Sequence, residues 1–107
     1  MPQQLAFAYE ESPFPQRPRQ RICDMPLEEQ PRYRLGRRGA PALSNAELLA
    51  LILGSSDALD IALTLIFKFG SLHRLARTHE AQLTRIHGIG QAQAARLMAV
   101  LELSRRL

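Results

Sequence analysis

Tryptophan is absent from this 107-residue chain, and cysteine occurs once, as Cys23. A single thiol excludes an internal disulfide and any zinc site built on cysteine pairs, and it suits a reducing compartment. Aromatic residues make up only 6% of the sequence, so a core must come from Leu, Ile and Ala, a mix that favours helices over strands. No apolar run is long enough to cross a bilayer, and the opening "MPQQLAFAYEESPFP" has no basic segment followed by an apolar one. A cytoplasmic, all-α protein of one small domain is expected.

Chemistry-bearing clusters are equally scarce. His73, His79 and His87 share no metal-ligand spacing with one another or with a carboxylate, and no Ser/His/Asp set or carboxylate pair stands out. The expectation is a protein without catalysis and without a cofactor. Lysine is nearly missing too: thirteen of the fourteen basic residues are Arg, Lys68 being the exception. The formal charge of +4 permits an anionic partner, and the forked guanidinium suits phosphate.

What is present divides the chain in two. Six of the seven prolines fall within the first 31 residues, interleaved with Gln, Arg and Glu. Proline removes backbone donors and disfavours helix before it, so residues 1–25 read as a flexible Pro/Arg-rich arm and 26–107 as the folded domain. "RPRQR" in the arm is flanked by Glu10, Glu11 and Asp24, as in a solvated tail.

Within the domain, "PRYRLGRRG" suits a short helix with Pro31 in its first turn and Gly39 at its end. "LSNAELLALILG" carries a full start signal: Ser44 as N-cap, Glu47 completing a capping box, Leu43 and Leu48 as a staple, and Gly54 as the stop. Asp57 can cap "ALDIALTLIFKF", where Ile61, Leu65 and Phe69 repeat at helical spacing before Gly70. Phe67 and Phe69 cannot share a face, so one is expected beside Gly70 and the other under the connector. Ser71 opens that connector, "LHRLAR". Thr78 can cap "HEAQLTRI", glycines interrupt at "GIG", and "QAQAARLMAVLELSRRL" reads as helix to the last residue.

Shifted against itself by 34 residues without a gap, the chain pairs Ser44 with Thr78, Leu49 with Leu83, Gly54 with Gly88, Ala58 with Ala92 and Leu63 with Leu97. Both units read as cap, short helix, glycine turn, longer helix. The expected fold is a small bundle of two helix-hairpin-helix units joined by a connector helix, the second, better-formed hairpin spanning 79–107.

In that second unit Gly88 and Gly90 can take positive φ angles and reverse the chain, while Ile89 points back to pin the helices. The helix that follows leaves its first amides unpaired with the positive end of its dipole behind them, a setting for an oxyanion. A plain interhelical turn is the alternative.

"LTRIHGIGQAQAARLMAVLEL" resembles the helix-hairpin-helix motif of proteins that bind DNA without sequence preference: an apolar residue, one residue, Gly, an apolar residue, Gly, and a small residue four positions on, here Ala94. The resemblance implies phosphate-side positions at Gly88, Gly90, Gln91 and Gln93, structural roles for Ile89 and Ala94, and room for a monovalent cation on the turn carbonyls. In wider context, the run from "MPLEEQPRYRLGRRGAPALSNAELLALIL" through "GIGQAQAARLMAVLELSRR" is similar to the N-terminal domain of the bacterial RadC-like (UPF0758) family. Members of that family were historically labelled DNA repair proteins and normally continue into a JAB/MPN-type domain with a zinc-ligand signature. No stretch of these 107 residues resembles that second domain, and the "LGSSDA" turn is shorter than the family's usual one.

Charge separates the two units. Residues 44–70 hold Lys68 against Glu47, Asp57 and Asp60, a net −2, whereas 71–107 hold six Arg against Glu80 and Glu102, a net +4. Only the second suits a polyanion, with Arg85, His87 and Arg96 as accessory contacts. The expected function is therefore weak, sequence-independent gripping of the DNA backbone, with Kd on the order of 10⁻⁴ to 10⁻⁶ M. The alternative is a module that docks a partner protein, or the missing JAB/MPN-type domain, on an apolar face near Leu72, Leu75 and the chain end.

Overall fold

The regular structure is helical throughout the residues that the computed structural model describes, 21–107. Among them, α1 spans Pro31–Arg38, α2 Asn45–Leu53, α3 Ala58–Phe69, α4 Leu72–Leu75, α5 Glu80–Thr84 and α6 Gln91–Arg106. The arm expected over 1–25 lies mostly outside the described residues. From Ile22 the chain is already docked: Ile22–Asp24 form a 3-10 turn, the Ile22 amide donates to the Ser56 carbonyl at 2.8 Å, and its side chain packs against the core.

Capping chemistry sets several of the boundaries. Pro31 occupies the first turn of α1, where its missing N–H costs nothing, and Gly39 closes it. Ser44 Oγ accepts from the Glu47 amide at 3.2 Å while Glu47 Oε1 accepts from the Ser44 amide at 2.9 Å, the reciprocal capping box. Ser71 Oγ accepts from the Arg74 amide at the start of α4.

Two expected caps differ. Asp57 stands at the N-cap of α3 but makes no side-chain cap bond, its Oδ1 accepting from Ser55 Oγ at 3.1 Å. Thr78 belongs to the preceding turn, donating its hydroxyl to the Leu75 carbonyl at 2.7 Å, so His79 is the N-cap of α5 and its amide donates to Gln82 Oε1.

That slip belongs to a larger correction. The two helical pairs do not superpose at one gapless offset. Their glycines, Gly54 and Gly88, share positive φ at an offset of 34, but the caps Ser44 and His79 stand 35 apart. In the long helices the inward positions of α3, Ala58, Ile61, Ala62 and Leu65, correspond to Ala94, Leu97, Met98 and Leu101 of α6, an offset of 36. Under the gapless pairing exposed Leu63 would face buried Leu97, and buried Ala58 would face exposed Ala92. The first turn is shorter by two residues, and burial follows the helix, not the alignment.

Leu49 and Leu53 of α2, Ile61 and Leu65 of α3, Leu75, Leu83 and Leu97 form the centre of the core. Each such side chain contributes roughly 1.5–3 kcal/mol by leaving water. Helix α2 packs against both α3 and α6, and α5 against α6. Leu75 is fully buried, so it cannot belong to the exposed patch expected near Leu72. Arg34 joins α1 to α2: its Nη1 donates to Glu47 at 2.6 and 2.8 Å, and Nη2 donates to the Ala42 carbonyl at 2.9 Å.

Candidate nucleic-acid interface

Between α5 and α6 the chain reverses through residues 85–90. Two apolar anchors hold it: Ile86 and Ile89 are buried, and the Ile89 amide donates to the Ile86 carbonyl at 3.1 Å. The two glycines differ in kind, contrary to the expectation of positive φ at both. Gly88 has φ 98°, a left-handed conformation that a side chain penalises. Gly90 has φ −89° and ψ −179°, ordinary extended backbone, and a Cβ added there would meet nothing within 4 Å. Neither backbone angle nor packing demands glycine at position 90.

Helix α6 begins immediately after. Its Ala94 amide donates to the Gly90 carbonyl at 3.0 Å, the first intrahelical bond, and Ala94 is fully buried as the motif requires. The amides of Gln91, Ala92 and Gln93 precede any intrahelical acceptor, and no hydrogen bond occupies them among the described residues.

Gln93 presents its backbone to that cluster while its side chain is committed elsewhere. Oε1 accepts from the Gly90 amide at 3.0 Å, and Nε2 donates to the Leu53 carbonyl at 3.2 Å. One side chain thus caps the start of α6 and the end of α2, tying the second turn to the first helical pair. Arg96, one turn on, stands over the first turn: its Nη1 lies 3.8 Å from where a Cβ on Gly54 would be. Arg96 is thus placed beside Gly54, and Arg85 and His87 beside another element.

Those two meet different company. Arg85, Ile86 and His87 line one wall of a groove of about 480 Å³, and Thr64, Phe67 and Lys68 of α3 line the other. Lys68 brings a third cationic or titratable group to the wall beside the turn, and among the described residues no carboxylate lines the groove. Phe67, expected to be packed, is 58% exposed, whereas Phe69 sits partly buried against the core. The helical signal for this was present: with Ile61, Leu65 and Phe69 turned inward, positions 67 and 68 must face out.

Charge near the chain end is partly neutralised. Arg105 Nη2 and Arg106 Nε both donate to Glu102 Oε2, at 2.5 and 2.9 Å, and these bonds hold the Glu102 carboxyl below its usual range. Among the described residues no three His, Cys, Asp or Glu side chains are grouped to hold a metal ion, and no helix is long and apolar enough to cross a membrane. His73, His79 and His87 are each exposed.

The family model described as UPF0758 N-terminal matches residues 22–95, from the first docked residue to the second turn of α6. A UPF0758 protein of Tolumonas auensis is 46% identical over 89 residues, covering 79% of this chain and 40% of the relative. UPF0758 proteins of Carboxydothermus hydrogenoformans and Syntrophotalea carbinolica are 48% and 50% identical over 91 residues, again spanning 40% of each relative. The chain thus spans about 40% of the length of the curated relatives it matches. No solved structure matches it. Identity at this level, across nearly all of the described helices, makes the chain a member of the UPF0758 family, corresponding to its N-terminal domain.

Proposed function

We propose that the domain is a non-catalytic, cofactor-free DNA-binding module that holds a backbone phosphate at the start of α6, in the manner of a helix-hairpin-helix. The observation that carries this reading is Gly90. Its φ is ordinary, an added Cβ would meet nothing within 4 Å, and it immediately precedes in sequence the unoccupied amides of Gln91, Ala92 and Gln93. A phosphate needs that approach kept clear.

The helix end alone is too weak to explain binding, since a dipole interaction at an exposed terminus contributes only about 0.3–1 kcal/mol. Cations must supply the rest. Lys68 and Arg85 flank the turn, with His87 adding charge when protonated. In this reading Gly88 shapes the turn, Gly90 and Gln91 face the phosphate, Gln93 contributes its amide and positions the turn through its side chain, and Arg96 serves a strand that extends towards Gly54. A role in DNA repair follows only by the family resemblance.

A backbone NMR titration with a short duplex, at low and at physiological salt, tests the reading. Shifts centred on residues 88–93 that weaken steeply with salt are the expected result. Unmoved amides at millimolar DNA would end it.

A protein-docking role keeps one specific observation in its favour. Val100 and Leu103 of α6 and Leu107 just after it are exposed at i, i+3 and i+7. None of these residues belongs to the turn or to the first turn of α6, so the two roles use different residues.

A further inference from the structure

Resting on the DNA reading, we infer that α1 carries a second backbone contact: the notch between Tyr33, Arg37 and Arg38 receives a phosphate of the same duplex that meets the α6 amides. Helix α1, "PRYRLGRR", holds four arginines, and the fold uses one of them. Arg34 donates to Glu47 and to the Ala42 carbonyl, so its charge is neutralised within the fold. Arg37 and Arg38 are exposed and form no ion pair among the described residues. They stand three and four positions after Arg34, where like charges on a helix repel. The negative end of the helix dipole tolerates two cations there but does not require them, since Gly39 already closes the helix. An anionic ligand accounts for both.

The surroundings say what kind of anion. Tyr33, Arg34, Arg37 and Arg38 line one notch of about 310 Å³, with Glu28 at its edge. Arg34 is fixed by Glu47, and the Arg37 guanidinium lies 5.8 Å from the centre of the Tyr33 ring, so two of the three forks are already held in place. Such forks match the oxygens of a phosphate. No aliphatic side chain lines the notch, so the apolar residues of a peptide find no seat there, whereas a phosphodiester needs none. Glu28 opposes the anion, as does Glu29 in the adjoining hollow, yet neither pairs with Arg37 or Arg38. Helix α2 sets the spacing of the two contacts. Arg34 is bonded to Glu47 near its start and Gln93 to Leu53 at its end, about 9 Å apart at 1.5 Å per residue. One strand of a duplex advances about 3.4 Å per nucleotide, so a few nucleotides cover that interval.

Fluorescence anisotropy with a labelled duplex of about one helical turn tests the notch, and circular dichroism checks that each variant keeps its helices. R37A/R38A should weaken binding at least about tenfold, the loss that goes with removing a charge-assisted hydrogen bond. E28Q should tighten it by about two- to fivefold, a gain that a folding defect cannot produce. R105A/R106A removes the same two charges about 20 Å along α6 from its start and should change affinity by less than about twofold, since that distance exceeds the Debye length. An R37A/R38A chain that binds like the parent, an E28Q chain that gains nothing, or an R105A/R106A chain that loses as much overturns the α1 contact. A poly-glutamate peptide held as tightly through the same two arginines overturns it too, assigning the notch to an acidic protein. The amides of residues 88–93 report on the other contact. If they shift with duplex while R37A/R38A has no effect, the notch falls and the phosphate reading stands. If they stay still while R37A/R38A loses tenfold, the α1 contact stands alone and the reading at α6 falls.

Discussion

Glu47 shows how one residue can serve two elements. Its carboxylate closes the capping box of α2 and pairs with Arg34 of α1, and only 11% of its side chain is exposed. Burial pushes its pKa up, but hydrogen bonds from Ser44 and the Arg34 guanidinium outweigh this and hold the carboxyl below its ordinary value of 4.5. A depressed folded pKa means that its contribution is fully present above 4.5 and disappears as pH falls through the lower, folded value. Urea denaturation followed from pH 6 down to 3 should show stability dropping in that acid window. E47Q, which keeps the Ser44 contacts but not the charge, should be less stable at neutral pH by about 1–3 kcal/mol and show a flatter acid profile. The box was legible from the spacing of Ser44 and Glu47. Arg34 was not, because thirteen residues separate the pair and only the packing of α1 on α2 joins them.

At the level of the element, the turn between α5 and α6 gives a paired prediction. G88A places a side chain at φ 98° and should cost about 1–2 kcal/mol of stability. G90A places one at φ −89° in open space and should cost less than G88A, about 0.5 kcal/mol for an N-cap where Ala is less favourable than Gly, while weakening DNA binding. Thermal melts and anisotropy on the two variants separate the roles; a G90A chain that binds DNA like the parent would refute the idea that this glycine clears a path for phosphate. Sequence treated the two glycines alike because the motif names both. Backbone angles distinguish them only once Ile86 and Ile89 are anchored in the core. The cap at α5 was misread for a similar reason: Thr78 is a good N-cap residue by type, but its hydroxyl is already committed to the Leu75 carbonyl.

For the whole molecule the relevant quantity is where charge accumulates. A net −2 over residues 44–70 predicts no phosphate site on the first helical pair, yet Lys68 from that segment joins Arg85 and His87 across the groove. Binding should therefore lose affinity with a log–log salt slope of about −2, each contacted phosphate contributing about −0.9. K68A should reduce that slope by about one unit, although the segment it comes from is acidic; a slope unchanged in K68A would show that the lysine does not meet the backbone.

Local chemistry was enough to establish the all-α class, most helix limits and the turn at Gly88, because caps, glycine stops and the 3.6-residue period act within a few residues of one another. The relation between the two helical pairs was decided by packing: a first turn two residues shorter shifts the buried positions of α3 and α6 to an offset of 36, which a gapless comparison misses. Long-range placement likewise settled what Gln93 does, since the Leu53 carbonyl lies 40 residues away in sequence. It also put Phe67 and Lys68 beside Arg85. Hydrophobic burial brings the two pairs together through Leu53, Leu65 and Leu97, and the residues left facing out where they meet become neighbours without any signal in their own spacing.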